Sequence, residues 1–587
     1  CLPMSVIGSN ILAGASGQGA GDSTIERSLR FNSADDARLT QTFSSNGDRQ
    51  KWTFSFWIKR SKLGTKQQIF GSQGTSDSDY AEMYFDTDDK LFIRFGYTSV
   101  VDAKPAAVFR DVSAWYHIVI ALDTQNSTAN DRLRVYVNGT ELDDYSDDSR
   151  SSFTGTYGIG RAGAHKISGE PNSSGNEIDA YLASVHYVNG SQLAASDFGE
   201  PDDNNVWQPK AYSGSYGTNG FHLDFADNSS ATALGYDAAG SNNWTVNGIH
   251  GGGSFVDYTG KLSTNVTINS GQKSNSFDGD TSTDVYGEHP NSGYFLLSGI
   301  SIAYSSSVEV YWKSGRPSAT FELNGSSVSG LSSGQWNTIA TGSGTLTSLK
   351  VSRGGDSWFF SAVRVDGTIL VNNDADSTID TPTSYEADSG NNGGNYATLN
   401  PLNSDSNTVL SNGNLTLNKT GTNGYGMVTS TMGVSSGKWY CEYTLSGGET
   451  TLGIARASTN VTTGSYMHNS GGVGYYSGNG YIYDSGTTAY GATFTTGDTI
   501  GIALDLDNGK VFFSKNGTFQ NSGDPVAGTN PAASGLSDTY VFGLNGGSTS
   551  TTATGGDWNF GQRPFAYTPP TGYVSLCTEN LSESAYA

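Results

Sequence analysis

The chain has 587 residues, three or four domains at ~150 residues per domain, and 77 of them are glycine, roughly twice the usual share. Charged residues make up only 15% while aromatics reach 12%, more aromatic surface than a disordered chain carries, and no Leu/Ala/Glu/Lys pattern of helical period appears. With 32 basic against 56 acidic residues the net charge is −24 and no basic stripe occurs. Nucleic acid is therefore excluded as a partner, since binding to phosphates needs clustered Lys and Arg.

The first 22 residues, CLPMSVIGSNILAGASGQGAGD, have neither a basic stretch nor a continuous apolar run. A signal peptide is not expected there, and a lipoprotein-type role for Cys1 has no further support. No run of 18 apolar residues occurs, so no membrane insertion is expected. Three cysteines (Cys1, Cys441, Cys577) are too few for a disulfide scaffold. Cys441 and Cys577 lie in apolar strand-like runs, where buried thiols behave as small hydrophobes, and synthesis in a reducing cytosol fits.

Period-2 alternation then marks strands. In KWTFSFWIKR, Trp52, Phe54, Phe56 and Ile58 share one face; in WYHIVIALD, Tyr116, Ile118, Ile120 and Leu122 do; in RLRVYVNG, Leu133, Val135 and Val137. Asn-Gly, the pair favoured where both turn residues need φ > 0, follows or precedes such runs at Asn138-Gly139, Asn189-Gly190, Asn324-Gly325 and Asn516-Gly517. GIALDLDNGKVFFSKNGTF reads as a three-stranded meander.

These signals predict an all-β protein, a chain of antiparallel β-sandwich (jelly-roll) domains with a short N-terminal arm. The divisions are an arm over 1–27, a sandwich over 28–200, an ordered connector over 201–250 anchored by Trp207, Phe221, Phe225 and Trp244, a smaller sandwich over 251–373, a linker over 374–396, a last sandwich over 397–581 and a tail over 582–587.

LRFNSADDARLT, WTFSFWIKR, WYHIVIALD, LRVYVNGTEL and IDAYLASVHYVNGSQL follow the order of laminin-G/pentraxin-like domains, so residues 28–200 resemble a concanavalin A-like jelly roll. GKWYCEYTL, TLGIARA, GVGYYSGNGYIYDSG, the meander and DWNFGQRPFAYTPPTGYVSL resemble the SPRY (B30.2-like) sandwich. SNSFDGDTSTDVYG resembles the opening of galactose-binding-like domains. As a whole the chain is similar to virion proteins of tailed phages, notably marine ones, with their short arm (MSVIGSNILAGASGQGAG) and polar connectors.

That resemblance implies a fibre or other virion appendage, assembled in the host cytoplasm, that adheres to host-surface polysaccharide or protein. The arm would meet other virion proteins through Ile7, Ile11, Leu12, Gly14, Ala15, Ser16 and Gly17. A homo-oligomer is expected, a trimer by analogy with fibres, although no coiled-coil heptads occur. The alternatives are a structural capsid or tail decoration protein and a polysaccharide depolymerase.

Catalysis is not expected. Concanavalin-like glucanases set two carboxylates on one strand as E-[IL]-D-x-x-E, and a retaining mechanism needs them about 5–5.5 Å apart. Here Glu177-Ile178-Asp179 is followed at the second Glu position by Leu182. Gly158–Gly163 spells G-x-G-x-x-G among strand signals rather than between a strand and a helix, where a dinucleotide site needs it. GLSSG (330–334) and GVSSG (433–437) match the nucleophile elbow in letters, but each reads as a turn opening a strand whose tryptophan, Trp336 or Trp439, enters the core.

The seven histidines are scattered without zinc spacing. Calcium is the one metal cofactor for which ligands are offered, by Asp86, Asp88 and Asp89 in one turn and Asp278 and Asp280 in another; solvated turns are the plainer reading. For ligand recognition the candidates are Tyr475, Tyr476, Tyr481 and Tyr483, aromatic rings set among Gly, Ser and Asn. Flat apolar rings beside hydrogen-bonding groups suit a carbohydrate, and the competing reading makes them core aromatics.

Overall fold

The computed structural model describes residues 24–249 and 258–581, less the stretches 265–267, 271–275, 278–284, 288–292, 312–319, 354–357, 371–375, 385–392, 420–425, 462–466, 468–470 and 547–554. The proposed attachment residues of the arm, from Ile7 to Gly17, lie outside the described residues, as do Cys1, Asp278, Asp280 and the tail over 582–587. The chain divides into two compact units, one made of Cys1–Gly253 with Ala375–Ala587 and the other of Ser254–Asp374. Among the described residues nearly all regular structure is antiparallel strand, apart from short 3₁₀ turns and one helical turn over Tyr258–Lys261. No helix among them is long and apolar enough to cross a membrane.

The first sandwich sits in the larger unit and packs two eight-stranded sheets. One runs Thr140–Glu141, Leu133–Val137, Tyr116–Asp123, Lys51–Arg60, Ala180–Asn189, Ser28–Phe31 and Ser377–Thr378. The other runs from Tyr145–Asp148 through Leu91–Phe95 and Gln67–Ser72 to Arg38–Phe43 and Thr245–Asn247. Side chains alternate across a strand, so Trp52, Phe54, Phe56 and Ile58 fall on the inner face and join Ile118, Ile120, Leu133 and Val135 in a single core. Removing that much apolar surface from water is the main force holding the sheets together.

Residues 201–250 supply one strand to each sheet: Phe221–Leu223 pairs with Ala180–Asn189, and Thr245–Asn247 pairs with Arg38–Phe43. Phe221, Phe225 and Trp244 join the core. Half-buried Trp207 donates its indole N–H to His117 Nδ1 at 2.9 Å. That fixes the tautomer, so His117 Nε2 carries the proton and donates to Ser55 Oγ at 2.8 Å.

The C-terminal sandwich packs a seven-stranded sheet, Leu399–Ser404 to Thr487–Ala489, on an eight-stranded one. The meander forms as Thr499–Asp505, Lys510–Lys515 and Thr518–Phe519. Cys441 and Cys577 are free and buried, and burial raises both thiol pKa values, Cys577 to about 11. Asn138-Gly139, Asn324-Gly325 and Asn516-Gly517 have positive φ at both residues, the twist a tight hairpin needs. At Asn189-Gly190 only the glycine does; Asn189 ends a strand and donates to the Asp48 carbonyl and the Tyr187 hydroxyl.

The second unit is a smaller all-β body of three antiparallel sheets around Phe295, Leu297, Val308, Val310, Leu346, Leu349 and Val363.

The stretch 374–396 differs from the linker it resembles by composition, because its two described acidic residues, Asp376 and Asp380, are held by Arg30 and Lys59 of the first sandwich. Ser377–Thr378 pairs with Ser28–Phe31 as an edge strand of the first sandwich. Register places Arg30, Tyr181 and Lys59 in one row across the outer face of that sheet, and each reaches the segments around 376–413. The Arg30 guanidinium meets Asp376 at 2.9 Å, Lys59 Nζ meets Asp380 at 2.8 Å, and the Tyr181 hydroxyl donates to the Gly413 carbonyl at 2.9 Å. The end of the arm joins them: Ile25 exchanges hydrogen bonds with Thr383 and packs with Trp57, Trp115 and Tyr181. The two large sandwiches therefore share a polar seam closed to water.

Candidate functional site

The outer strands of the seven-stranded sheet present the tyrosines. Thr450–Arg456, Val473–Tyr476, Tyr481–Tyr483 and Thr487–Ala489 lie side by side, the last at the sheet edge. Leu452 pairs with Tyr475, which pairs with Ile482, so these three point inward; Thr451, Tyr476, Tyr481 and Tyr483 fall on the opposite face.

Tyr475 is fully buried among Tyr490, Phe494 and Phe513, and its hydroxyl donates to the Ala492 carbonyl. It is a core side chain, and its candidacy as a ligand contact is withdrawn because no face of its ring reaches solvent. The other three keep theirs. Tyr481 is 38% exposed. Tyr476 and Tyr483 stand perpendicular with centroids 5.9 Å apart. The Tyr476 hydroxyl donates to Glu449, and Asn479 Nδ2 donates to the Tyr483 hydroxyl at 3.1 Å. Asn479 also accepts from the Tyr481 backbone N–H at 2.9 Å, which sets the SGNG turn that carries the ring. A Cβ at Gly478 would lie 2.8 Å from the Tyr476 ring, so glycine there leaves the ring its place.

The arrangement offers ring faces beside a carboxylate, an amide and hydroxyls, the mixture that recognises sugars or polar protein loops. Glu449 belongs to the site but precedes Tyr476 by 27 positions, and only strand pairing brings it there.

The Asp86–Asp89 turn holds its own cations. Lys104 Nζ sits 2.8 Å from Asp86 and 3.0 Å from Asp88, while Asp89 binds Arg60 at 3.2 Å and Arg110 at 2.9 Å. Fully buried Arg60 needs that carboxylate, so Asp89 is engaged in an ion pair. Among the described residues no group of three His, Cys, Asp or Glu converges to hold a metal ion.

Glu177 accepts from the Gly175 N–H, and Asp179 accepts from Ser33 and Lys62. Gly158–Gly163 is a turn leading into a strand, with no helix after it. GLSSG is a loop before Asn337–Thr341, and GVSSG ends the strand Met427–Val434 and turns into Lys438–Gly447. Trp439 is buried, whereas Trp336 stays half-buried beneath Arg364, 4.3 Å from its ring centroid.

The fold defines a protein built from antiparallel β-sandwiches. Residues 32–191 match the concanavalin A-like lectin/glucanases superfamily (Laminin_G_3), and residues 438–532 match the SPRY domain. Among solved structures, the chain is similar to the SPRY domain of human HERC1, with 20% identity, covering 27% of this chain and 96% of that one at a TM-score of 0.23. It is also similar to the heptameric SAP-like pentraxin of Limulus polyphemus, with 15% identity, covering 29% and 78% at a TM-score of 0.23. No curated protein matches. A laminin-G-type domain and a C-terminal SPRY domain fit a role in binding carbohydrate or protein.

Proposed function

We propose that the chain is an adhesion protein of a tailed-phage virion. Its arm holds it to other virion proteins, and its C-terminal sandwich contacts host-surface polysaccharide or protein without catalysis. The observation that carries this reading is the exposed ring of Tyr481 beside the Tyr476–Tyr483 pair and Glu449, one strand in from the sheet edge. The whole-chain resemblance to phage virion proteins supplies the biological setting. Leu182 in place of a second glucanase carboxylate, and the occupied contacts of Glu177 and Asp179, favour binding over hydrolysis. Weak single contacts would gain from several copies engaging together.

The test is a glycan array probed with the fluorescently labelled full chain. The expected result is retention on a subset of glycans, weakened about tenfold or more by Tyr481→Ala. New reducing ends released from a retained glycan would replace adhesion by depolymerase activity. Equal retention by Tyr481→Ala would remove this surface from the reading.

A further inference from the structure

The seam contains a constellation whose chemistry goes beyond an ion pair. Lys59 Nζ lies 2.8 Å from Asp380 Oδ2, 2.8 Å from Asn395 Oδ1 and 2.7 Å from the Tyr396 carbonyl oxygen. Both Lys59 and Asp380 are 0% exposed. Trp115 donates its indole N–H to Asp380 Oδ1 at 3.2 Å, and Asn395 Nδ2 donates to the Ser113 carbonyl at 2.6 Å. Trp57, Trp115 and Tyr181 wall the site, with the Tyr181 ring centroid 5.8 Å from Nζ. A primary amine, a carboxamide and a carboxyl group are thus held together where water is excluded.

We propose that this is a self-processing cross-link site, at which Lys59 Nζ attacks Asn395 Cγ and forms an isopeptide bond between the first sandwich and the segment entering the last. The amine must be neutral to attack and the carboxyl protonated to act as acid. Burial drives both that way, pushing the Lys59 ammonium down and the Asp380 carboxyl up, against the attraction of the pair. The neutral pair also removes the cost of keeping two charges in this interior.

The reaction balances without a co-reactant. The Nζ lone pair adds to Cγ, and Asp380 gives its proton to Oδ1, which already faces the amine. Asp380 then recovers a proton from Nζ and relays it to Nδ2 as the tetrahedral centre collapses. The Cγ–Nδ2 bond breaks, ammonia leaves, and Oδ1 returns its proton to Asp380 as the carbonyl re-forms, so the acid is regenerated. The sum is amine plus carboxamide giving secondary amide plus ammonia, with no change in oxidation state. The Ser113 carbonyl fixes the amide so that Oδ1, not Nδ2, meets the amine. Holding the partners in contact supplies the orientation that a bimolecular reaction lacks, and exclusion of water keeps hydrolysis of the amide from competing. Arg30–Asp376, the neighbouring pair, has no nucleophile to offer because guanidinium stays protonated.

Mass spectrometry of the full chain decides the matter. The expected result is an intact mass lower than the sequence mass by one ammonia, with a branched peptide joining Lys59 to Asn395 after digestion. A chain cut between these residues then runs as one band on a denaturing gel. Asp380→Asn, checked for folding by circular dichroism, should slow bond formation about a hundredfold or more, and Lys59→Arg should abolish it. Recovery of Lys59 and Asn395 only in separate linear peptides would overturn the proposal. So would an ammonia loss located at an Asn-Gly succinimide with no branched peptide. The wild-type measurement stands whether or not the variants fold.

Discussion

Arg30 and Asp376 stand 346 positions apart in the chain and meet through two guanidinium hydrogen bonds, from Nε at 3.1 Å and Nη2 at 2.9 Å. Their side chains are only 2% and 3% exposed, and the Arg30 backbone N–H donates to the Asp376 carbonyl as well. A pair buried this deeply adds little over an apolar contact while both partners are present, but losing one strands the other charge. Asp376→Ala should therefore cost about 3–5 kcal/mol, read as a lowered denaturation midpoint of the larger unit. A midpoint unchanged from wild type would mean that the seam does not hold the sandwiches together.

The same logic applies at the Asp86–Asp89 turn. Asp89→Ala should destabilise the first sandwich by about 3 kcal/mol or more because Arg60 loses its buried carboxylate. Titrating calcium into wild-type chain and into Asp86→Asn should give identical thermal midpoints, since Lys104 already balances this turn. A calcium-induced rise that Asp86→Asn abolishes would restore the turn as a metal site.

Two tyrosines one turn apart should behave oppositely. Tyr475→Ala empties a site packed by three aromatic rings and should cost about 3–5 kcal/mol. Tyr481→Ala, on the exposed face, should change stability by no more than about 0.5 kcal/mol. Thermal unfolding of both variants separates core from recognition surface; equal losses would place Tyr481 in the core.

Acid should weaken the first sandwich through its histidines. Burial pushes His117 from 6.5 to about 3 and His165 from 6.5 to about 4. The unfolded chain therefore binds protons that the folded chain refuses. The stability these groups contribute is complete above pH 6.5 and is lost as pH falls toward about 4 for His165 and about 3 for His117. The slope is about 1.4 kcal/mol per pH unit for each histidine within its window. Denaturation midpoints followed from neutral pH to about pH 5 should fall, and His165→Gln should flatten the profile. A pH-independent midpoint would contradict the burial of these rings.

Much of the fold is legible along the chain because its inner strands alternate cleanly. The period-2 face of Trp52, Phe54, Phe56 and Ile58 is the core face, and three Asn-Gly pairs make the turns their φ preference demands. The inward direction of Tyr475 is implicit in its pairing with Ile482, but GYYSGNGYIYDSG alone does not say which tyrosines share a face until the turn length fixes the register. The seam is the illegible part. DADSTIDTPTSYEADSG has the composition of a solvated linker, and Asp376 and Asp380 acquire meaning only from Arg30 and Lys59, more than 300 positions away. Lys59 reads as the charged end of a strand, which sequence rules place in water.

The proposed recognition of a host surface through the C-terminal sandwich is tested with an antibody raised against residues 397–581 on virions that carry this chain, with electron microscopy and adsorption measured on the same preparation. Host recognition by this sandwich gives label at a tail appendage and blocked adsorption. Label spread over the head with unaffected adsorption would contradict it and leave a decoration protein.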